Sequence, residues 1–396
     1  MAFQDTIKTL VIITNVRHYE VSGKLYASGP YTLQIQPLAD LFEKVLIAAP
    51  CQKGLPPSDC LPFANENILI LPQKESGGRT FWEKFLLVVN VPRHVVELCR
   101  AMLKGDVIQV RCPCNLGLLG TILAPLFSKY LIANYAGQWN NFVGEPLSSR
   151  LERFILRSWW WRNGLVLVYG GGSNQPKQII PFFASTMTAK QVQRGIEVAS
   201  QKRFELPLQI VFVGRLVPPK GVEILLRAAG VLRKQNIPFQ LSIVGDGPDR
   251  PRLESIVHQL DLVGLVHFVG PLPYEEVMGW YEKAHVLVLP TKTEGFPKVL
   301  VEAMCYGVVC VATDTGLISW MLKERGIVFP YGDVDALGAH LRCIMEDASM
   351  VQRLSKEASA WAKNYSIEGV RETLSRLFLE RWNYSFLNEK DKDNLE

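Results

Sequence analysis

From Leu208 onward, short apolar runs alternate with longer segments in which apolar residues recur every three or four positions. The runs are apolar throughout and rich in β-branched residues, as is typical of parallel strands covered on both faces. We predict strands over 210–213, 239–245, 266–270, 285–290 and 308–313, with helices such as 221–236 and 273–284 between them. Strands that alternate with helices in this way predict a Rossmann-like α/β domain.

The first half of the chain has a similar but less regular pattern. We predict strands over 9–14, 44–50, 106–112, 129–135 and 164–172, and a helix over 32–42. The polar stretch 188–207 is expected to contain a linker, and residues 366–388 form an amphipathic pattern with Ser366 and Glu368 as helix-start signals. The predicted organisation is 1–200, 201–365 and 366–396, the last ending in a charged tail.

The bulk composition favours a soluble protein of two domains. The chain has 396 residues, of which 48% are hydrophobic and 20% are charged. This length is more than one hydrophobic core usually accommodates. Its eight cysteines include no C-x-x-C pair, so a disulfide framework or a zinc site is not expected. No signal peptide is apparent, and the longest apolar stretch, 116–127, is too short to span a bilayer. These features predict a cytoplasmic location.

Charge is spread unevenly along the chain. Residues 1–200 contain 20 Lys or Arg and 13 Asp or Glu, a net charge of +7, although the whole chain carries only +5. This excess is too dispersed to indicate nucleic-acid binding. Residues 148–164 combine four arginines with three consecutive tryptophans. That composition is typical of a helix on an anionic membrane surface, and the alternative is a helix whose tryptophans pack in the domain core.

The stretch "TKTEGFPKVLVEAMCYG", residues 291–307, carries two glutamates around a predicted helix start at Pro297. The first helical amides, Lys298 and Val299, form an anion site. Because ionised carboxylates only accept hydrogen bonds, Glu294 and Glu302 beside that site suit the hydroxyls of a polyol on each side of a diphosphate. The alternative is that both glutamates are ordinary surface residues.

A second loop at the same predicted sheet edge carries cations. In "VFVGRLVPPKGVE", Gly214 and Arg215 end a strand, and Lys220 precedes the next helix. Two cations there can neutralise a diphosphate leaving group. The nearby "IVGDGP" is not a G-x-G-x-x-G fingerprint, so a dinucleotide cofactor is not indicated.

Together with "VHFVGPLPYEEV" and "GIVFPYGDVDALGAHL", these motifs resemble the retaining glycosyltransferases of family 4 over residues 210–345. The resemblance implies a GT-B fold, an α/β architecture in which two Rossmann-like domains face each other across a cleft. It also implies that the last helix returns to the first domain.

The resemblance assigns roles on the donor side. Glu294 and Glu302 match an E-x7-E motif whose first glutamate contacts the transferred sugar and whose second contacts the ribose. Arg215 and Lys220 match residues that bind the diphosphate, as do the amides of Lys298 and Val299. The remaining donor-site positions predicted by the match are Gly214, Val269, Pro271, Gly295 and Phe296.

The first half matches the family less well. Gly29 in "YASGPY" occupies the place of a glycine-rich loop that touches the donor phosphates. The family's mid-domain histidine has no counterpart here, and Asn134 or Tyr135 takes its place. His18, in a polar loop after the first strand, is a further acceptor-side candidate, although a lone loop histidine is more often solvated.

The resemblance implies no metal and no cofactor, the nucleotide sugar being a substrate. Asp333 and Asp335 formally match a metal-binding D-x-D, but they are better explained as a helix cap; "DKD" at 391–393 lies in the tail. The sequence thus predicts retaining sugar transfer from a nucleotide donor to a saccharide or lipid-linked saccharide. The alternatives are a non-catalytic partner subunit and another GT-B enzyme, such as an epimerase or a phosphorylase.

Overall fold

The computed structural model describes residues 7–57, 59–75, 81–142, 144–170 and 175–384, the side chains of 81–88 excepted. The chain forms two compact units, one comprising 1–184 with 367–396 and the other comprising 185–366.

The first unit is built around a sheet in which ten strands are described. These are β1 Thr9–Ile13, β2 His18–Val21, β3 Lys24–Ser28, β4 Lys44–Lys53, β5 Cys60–Pro62, β6 Ile68–Gln73, β7 Val107–Cys112, β8 Tyr130–Tyr135, β9 Leu165–Tyr169 and β10 Ile179–Phe182. Its helices are α1 Gly29–Ala39, α2 Phe81–Met102, α3 Asn115–Leu123, α4 Leu147–Arg157 and, from the end of the chain, α13 Ile367–Trp382.

Parallel pairing orders the main sheet β6-β4-β1-β7-β8-β9-β10. The order reverses between β1 and β7, and such a reversal places a ligand crevice at the carboxyl ends of those strands. Apolar clusters cover both faces of the sheet. On one face, α13 packs against α1, and the ring of Phe378 in α13 lies 6.3 Å from that of Phe42, just after α1.

The second unit contains a six-stranded parallel sheet among its described residues. Its strands are β11 Leu208–Val213, β12 Phe239–Val244, β13 Val266–Gly270, β14 Val286–Leu289, β15 Val309–Thr313 and β16 Ile327–Phe329. Its helices are α5 Ala189–Gln201, α6 Val222–Lys234, α7 Arg250–Gln259, α8 Tyr274–Lys283, α9 Lys298–Cys305, α10 Ile318–Leu322, α11 Val334–Glu346 and α12 Ala348–Ala362.

The strand order of this sheet is β13-β12-β11-β14-β15-β16, the doubly wound Rossmann order with its switch point between β11 and β14. Every residue of β14 and β15 is buried, because helices cover both faces of a parallel sheet. The five strands predicted for this half are therefore confirmed, and β16 is a sixth.

Three predictions about the elements were wrong in detail. The stretch 188–207 is mostly helix α5, which begins with a capping box between Thr188 and Gln191 and packs on α9 and α12, so the units divide at Ala184 rather than at residue 200. The first crossover helix begins at Gly29 instead of residue 32. His18 lies in strand β2, paired with β3 and β4, and not in a loop.

Candidate active site

Two loops at the switch point of the second unit carry several of the predicted donor residues. The loop after β11 carries Arg215 and Lys220, and the loop after β14 carries Glu294. Backbone and side-chain hydrogen bonds join the loops: Lys292 N donates to the Pro219 carbonyl at 2.8 Å, and Thr291 Oγ1 donates to the same carbonyl at 3.2 Å. The two loops therefore act as one structure.

Lys220 and Glu294 form an ion pair at the centre of these loops. Lys220 Nζ lies 2.5 Å from Glu294 Oε2, and the two side chains are 27% and 19% exposed. Both groups therefore remain reachable from solvent while each holds the other in place. The structure brings together two residues that are 74 positions apart in sequence.

Two glycines permit the close packing of these loops. Gly221 has φ +67°, and a Cβ there would lie 2.0 Å from the Pro290 carbonyl oxygen. Gly316 has φ +58°, and a Cβ there would lie 2.2 Å from the carbonyl oxygen of Glu294. Only glycine combines this backbone conformation with so close an approach, so these positions fix where Lys220 and Glu294 stand.

Arg215 is exposed and forms no ion pair with any described residue. It follows Gly214, whose amide donates to the Val244 carbonyl at 3.0 Å, so the Gly214 amide is already engaged in the fold. The guanidinium of Arg215 is thus an available cation on the same loop as Lys220, at the carboxyl end of β11.

Helix α9 begins directly after the Glu294 loop. Pro297 is its N-cap, so the helix begins at Lys298, one residue later than the predicted start at Pro297, and Lys298 and Val299 provide the first two helical amides. The Leu300 amide is bonded to the Pro297 carbonyl at 3.0 Å. Gly295 is half-buried and Phe296 is buried, with its ring 6.2 Å from that of Tyr365, so the helix start is anchored by packing.

Glu302 is 5% exposed, and its carboxylate accepts three hydrogen bonds from hydroxyl groups. Thr186 and Tyr274 donate to Oε1 at 2.5 and 3.2 Å, and Tyr281 donates to Oε2 at 2.9 Å. Burial, followed by the charge of Glu302, raises the pKa of both tyrosines, so both remain protonated donors. These three hydroxyl groups already bind the Glu302 carboxylate. A contact between Glu302 and the ribose of a donor stays a prediction.

The three hydroxyl partners of Glu302 were missed by the sequence analysis. Tyr274 and Tyr281 are seven positions apart on α8 and therefore share one helix face, a spacing that could have indicated a common target. Thr186 lies just before α5 and before the stretch 188–207 in which a linker is predicted, and no motif in the sequence marks it.

The predicted base-side residues Val269 and Pro271 flank the carboxyl end of β13. Val269 is half-buried and Pro271 is exposed. Next to them, the Arg250 guanidinium stands 5.6 Å from the centre of the Phe268 ring, which provides an aromatic and cationic surface at this edge.

His18, the first of the predicted acceptor-side residues, lies in the core of the first unit. His18 is fully buried, with Nδ1 2.8 Å from the Val16 carbonyl and its ring stacked on Phe63. Burial lowers the pKa of His18 to about 4. This neutral core histidine is not presented on a loop, and its acceptor role stays an untested prediction.

Asn134 and Tyr135 are adjacent on β8 and therefore point to opposite faces of the sheet. Tyr135 is 1% exposed, packs against Trp139, and has a pKa raised to about 12 by burial. Asn134 is half-buried and bonds the Tyr169 side chain. Of the two alternatives, Asn134 is the one on the more accessible side.

Gly29 is the first residue of α1 rather than part of an open loop. It is buried, and its amide donates to the Asp59 carbonyl at 2.8 Å. Its amide is therefore not available to a phosphate in this conformation.

The D-x-D sequence at Asp333 is a helix cap, as predicted: the Asp333 carboxylate accepts from the Ala336 amide at 2.9 Å, at the start of α11. Across the described ranges, no group of three or more His, Cys, Asp or Glu side chains is placed to hold a metal. The tail motif at 391–393 lies outside the described residues.

Helix α4 carries an exposed apolar stripe. Leu147, Leu151 and Phe154 are 78%, 46% and 71% exposed, and Trp159, just beyond the helix, is 70% exposed. Trp161 is fully buried and donates to the Thr121 carbonyl at 2.8 Å. The core alternative therefore holds for Trp161, whereas Trp159 is exposed and contact with a membrane stays a prediction.

Basic groups accompany the stripe. Arg150, Arg157, Arg162 and Lys129 are exposed, whereas Arg153 is buried in an ion pair with Glu145. None of the helices in the described part of the chain is long and apolar enough to cross a bilayer.

The second unit has a sequence match to a known protein family. Residues 193–361 match the family described as glycosyl transferases group 1. The putative colanic acid biosynthesis glycosyltransferase WcaL of Salmonella typhimurium is 32% identical over 144 residues, 34% of this chain and 36% of that protein. The chain therefore spans about a third of the length of this curated relative.

Solved structures resemble nearly the whole chain. Sucrose-phosphate synthase from Thermosynechococcus elongatus has a TM-score of 0.71 at 19% identity, covering 95% of this chain and 99% of that one. Anabaena HepE, solved in complex with UDP, has a TM-score of 0.67 at 15% identity, covering 94% and 100%. The predicted fold class, α/β with two parallel-sheet units as in GT-B glycosyltransferases, is confirmed. Within that fold, residues 193–361 have the sequence pattern of glycosyl transferases group 1.

Proposed function

We propose that this protein is a glycosyltransferase that moves a sugar from a nucleotide-diphosphate donor to a saccharide or lipid-linked saccharide acceptor. The observation that carries the proposal is the Lys220–Glu294 pair, held 2.5 Å apart at the switch point of the second unit. Both residues lie inside the stretch that matches glycosyl transferases group 1.

The chemistry follows from the charges at this edge. As the sugar leaves, negative charge develops on the diphosphate, and Lys220, Arg215 and the first amides of α9 offset it. Glu294 accepts hydrogen bonds from the sugar hydroxyls once the phosphate attracts Lys220. We propose that the transferred sugar is a hexose, that its anomeric configuration is retained and that no metal takes part. The departing phosphate oxygen is proposed to accept the proton of the acceptor.

We further propose that the protein works at the cytoplasmic face of a membrane. The stripe on α4 offers apolar side chains to the lipid and basic side chains to anionic headgroups, the composition of an interfacial helix. A protein at the membrane surface can reach an acceptor that is carried by a lipid. We propose polysaccharide biosynthesis as the pathway, because the WcaL relative is named for colanic acid biosynthesis.

Thermal unfolding in the presence of UDP-, GDP- and ADP-sugars tests the donor assignment, with UDP-sugars first because HepE was solved with UDP. A ligand at about 100 times its dissociation constant adds roughly 2.7 kcal/mol, enough to raise Tm by a few degrees. We expect one donor class to raise Tm and Lys220→Ala to abolish the rise, while Lys234→Ala, an exposed lysine at the end of α6, leaves it unchanged. A rise that persists in Lys220→Ala would contradict the assigned site.

A further inference from the structure

A polar cluster in the first unit lies outside the donor site. Arg111, Asn134 and Tyr169 stand near the carboxyl ends of the adjacent strands β7, β8 and β9. Arg111 pairs with Asn134 in the strand register, and Asn134 pairs with Leu167, two residues before Tyr169. Paired residues of parallel strands share a face and the side-chain period is two, so all three side chains lie on one face.

Helix α1 fixes the arginine within this cluster. Arg111 Nη2 donates to Gln34 Oε1 at 2.9 Å, and Gln34 Nε2 donates to the Tyr169 hydroxyl at 3.0 Å. The Arg111 guanidinium carbon stands 5.2 Å from the centre of the Tyr31 ring. Hydrogen bond and ring together hold the guanidinium in one orientation.

The charge of Arg111 has no counter-charge in this cluster. Its partners are an amide and an aromatic ring, and no described carboxylate pairs with it. Nη1 is buried and has no hydrogen-bond partner among the described residues, although Arg111 as a whole is only half-buried. Burial raises the pKa of Tyr31, Tyr169 and Cys114, so these neighbours are neutral as well.

Burying part of a cation with one N–H donor unpaired costs free energy of folding, and an anion that accepts a hydrogen bond from that donor removes the cost. The position is also one where doubly wound sheets bind ligands, because β7 borders the point at which the strand order reverses. A guanidinium fixed in one plane matches the oxygens of a phosphate in two parallel hydrogen bonds.

We propose that Arg111, oriented by Gln34 and Tyr31, binds a phosphate group of the acceptor. The inference rests on the proposed function and narrows its acceptor to a phosphorylated one. The apolar stripe on α4 of the same unit favours a polyprenyl diphosphate carrier as the source of that phosphate over a water-soluble phosphate ester.

Calorimetry tests the proposal by measuring how the full chain binds three ligands: farnesyl diphosphate, farnesol and inorganic pyrophosphate. The background carries Arg215→Ala and Lys220→Ala, so that the donor site does not contribute phosphate binding. We expect farnesyl diphosphate to bind and Arg111→Gln to weaken it about tenfold or more, the loss of one or two charged hydrogen bonds. Arg93→Gln, an exposed arginine on α2, is the matched control and should change nothing.

Gln34→Glu provides a second variant that keeps the volume and the Arg111 contact. It places a carboxylate against the guanidinium, so it should abolish phosphate binding while the protein still unfolds cooperatively. Pyrophosphate binding that also depends on Arg111 would support phosphate recognition with a soluble source. Equal binding of farnesol, or undiminished binding in Arg111→Gln and Gln34→Glu, would overturn the proposal.

The phosphate site at Arg111 and the proposed donor site can be tested independently of each other. Nucleotide-sugar binding by Arg111→Gln in an otherwise unaltered chain reports on the second unit alone, and we expect it to equal that of the unaltered protein. A chain that binds farnesyl diphosphate but no nucleotide sugar would reject the donor assignment and leave the Arg111 site standing.

Discussion

His18 shows how the environment of a single residue decides its chemistry. Sequence alone placed it on a polar loop, but the structure gives it a stacked, fully buried position in β2. A folded-state pKa of about 4 lies below the usual 6.5, so the unfolded chain binds the extra proton first. The contribution of His18 to stability is therefore complete above pH 6.5 and is lost as the pH falls towards 4.

The expected size of this loss is about 2 kcal/mol between pH 7 and pH 5. His18→Asn retains a donor for the Val16 carbonyl but cannot titrate, so its free energy of unfolding should fall less over that interval. Urea titrations of both proteins at the two pH values measure the difference. Parallel losses in the two proteins would show that His18 does not titrate as a buried group.

At the candidate site, the surroundings of Glu302 likewise depend on the folded structure. Its place in the helix and its spacing from Glu294 were predictable, because both are properties of the sequence. That three hydroxyls surround it was not, because Thr186, Tyr274 and Tyr281 come from separate segments that meet only through packing.

At the scale of elements, the strands of the second unit were predictable because each is a continuous apolar run, a signal that parallel sheets require. The hairpin β2–β3 was missed because its strands are short and partly exposed. Its turn uses Ser22 and Gly23 with φ of +50° and +78°, a two-residue turn of the kind favoured in hairpins. The polar composition of 188–207 predicts a linker, whereas the capping box between Thr188 and Gln191 marks the start of helix α5.

The loop before α6 yields a prediction about an element junction. Gly221→Ala introduces a Cβ 2.0 Å from the Pro290 carbonyl oxygen at φ +67°, so the loop carrying Lys220 has to move. We expect a loss of about 2 kcal/mol or more in the free energy of unfolding and weaker binding of the nucleotide sugar.

Gly279→Ala is the matched control for that variant. Gly279 lies within α8, and a Cβ there meets nothing within 4 Å. Alanine in a helix interior should stabilise by roughly 0.5–1 kcal/mol. If Gly221→Ala unfolds at the same urea concentration as the unaltered protein, the tight packing of the two donor loops is refuted.

At the scale of the whole molecule, the exposed stripe on α4 predicts reversible membrane binding. Phe154→Ser with Trp159→Ser removes two side chains, each contributing roughly 1.5 kcal/mol or more on burial in lipid. We expect co-sedimentation with phosphatidylglycerol vesicles to fall sharply in that variant and to weaken in high salt. Leu55→Ser, which changes a side chain 89% exposed elsewhere in the first unit, should leave it unchanged.

Vesicles of phosphatidylcholine provide the charge control, since they lack the negative surface that attracts the arginines. Equal binding to both vesicle types would reject the basic side chains as a determinant. Binding that survives loss of Phe154 and Trp159 would reject the stripe itself.

The central claim is that the Lys220–Glu294 loops transfer a sugar from a nucleotide donor, and the most direct measurement is turnover. Labelled donor of the class selected by thermal unfolding is incubated with free and polyprenyl-linked saccharides, and labelled product and released nucleotide are counted. We expect equal amounts of both, formed at rates about tenfold or more lower in Lys220→Met and in Glu294→Gln, since each variant loses a charged hydrogen bond. Transfer at undiminished rates in both variants, or donor binding with no transfer to any acceptor, would contradict it, and the second result would identify a non-catalytic subunit.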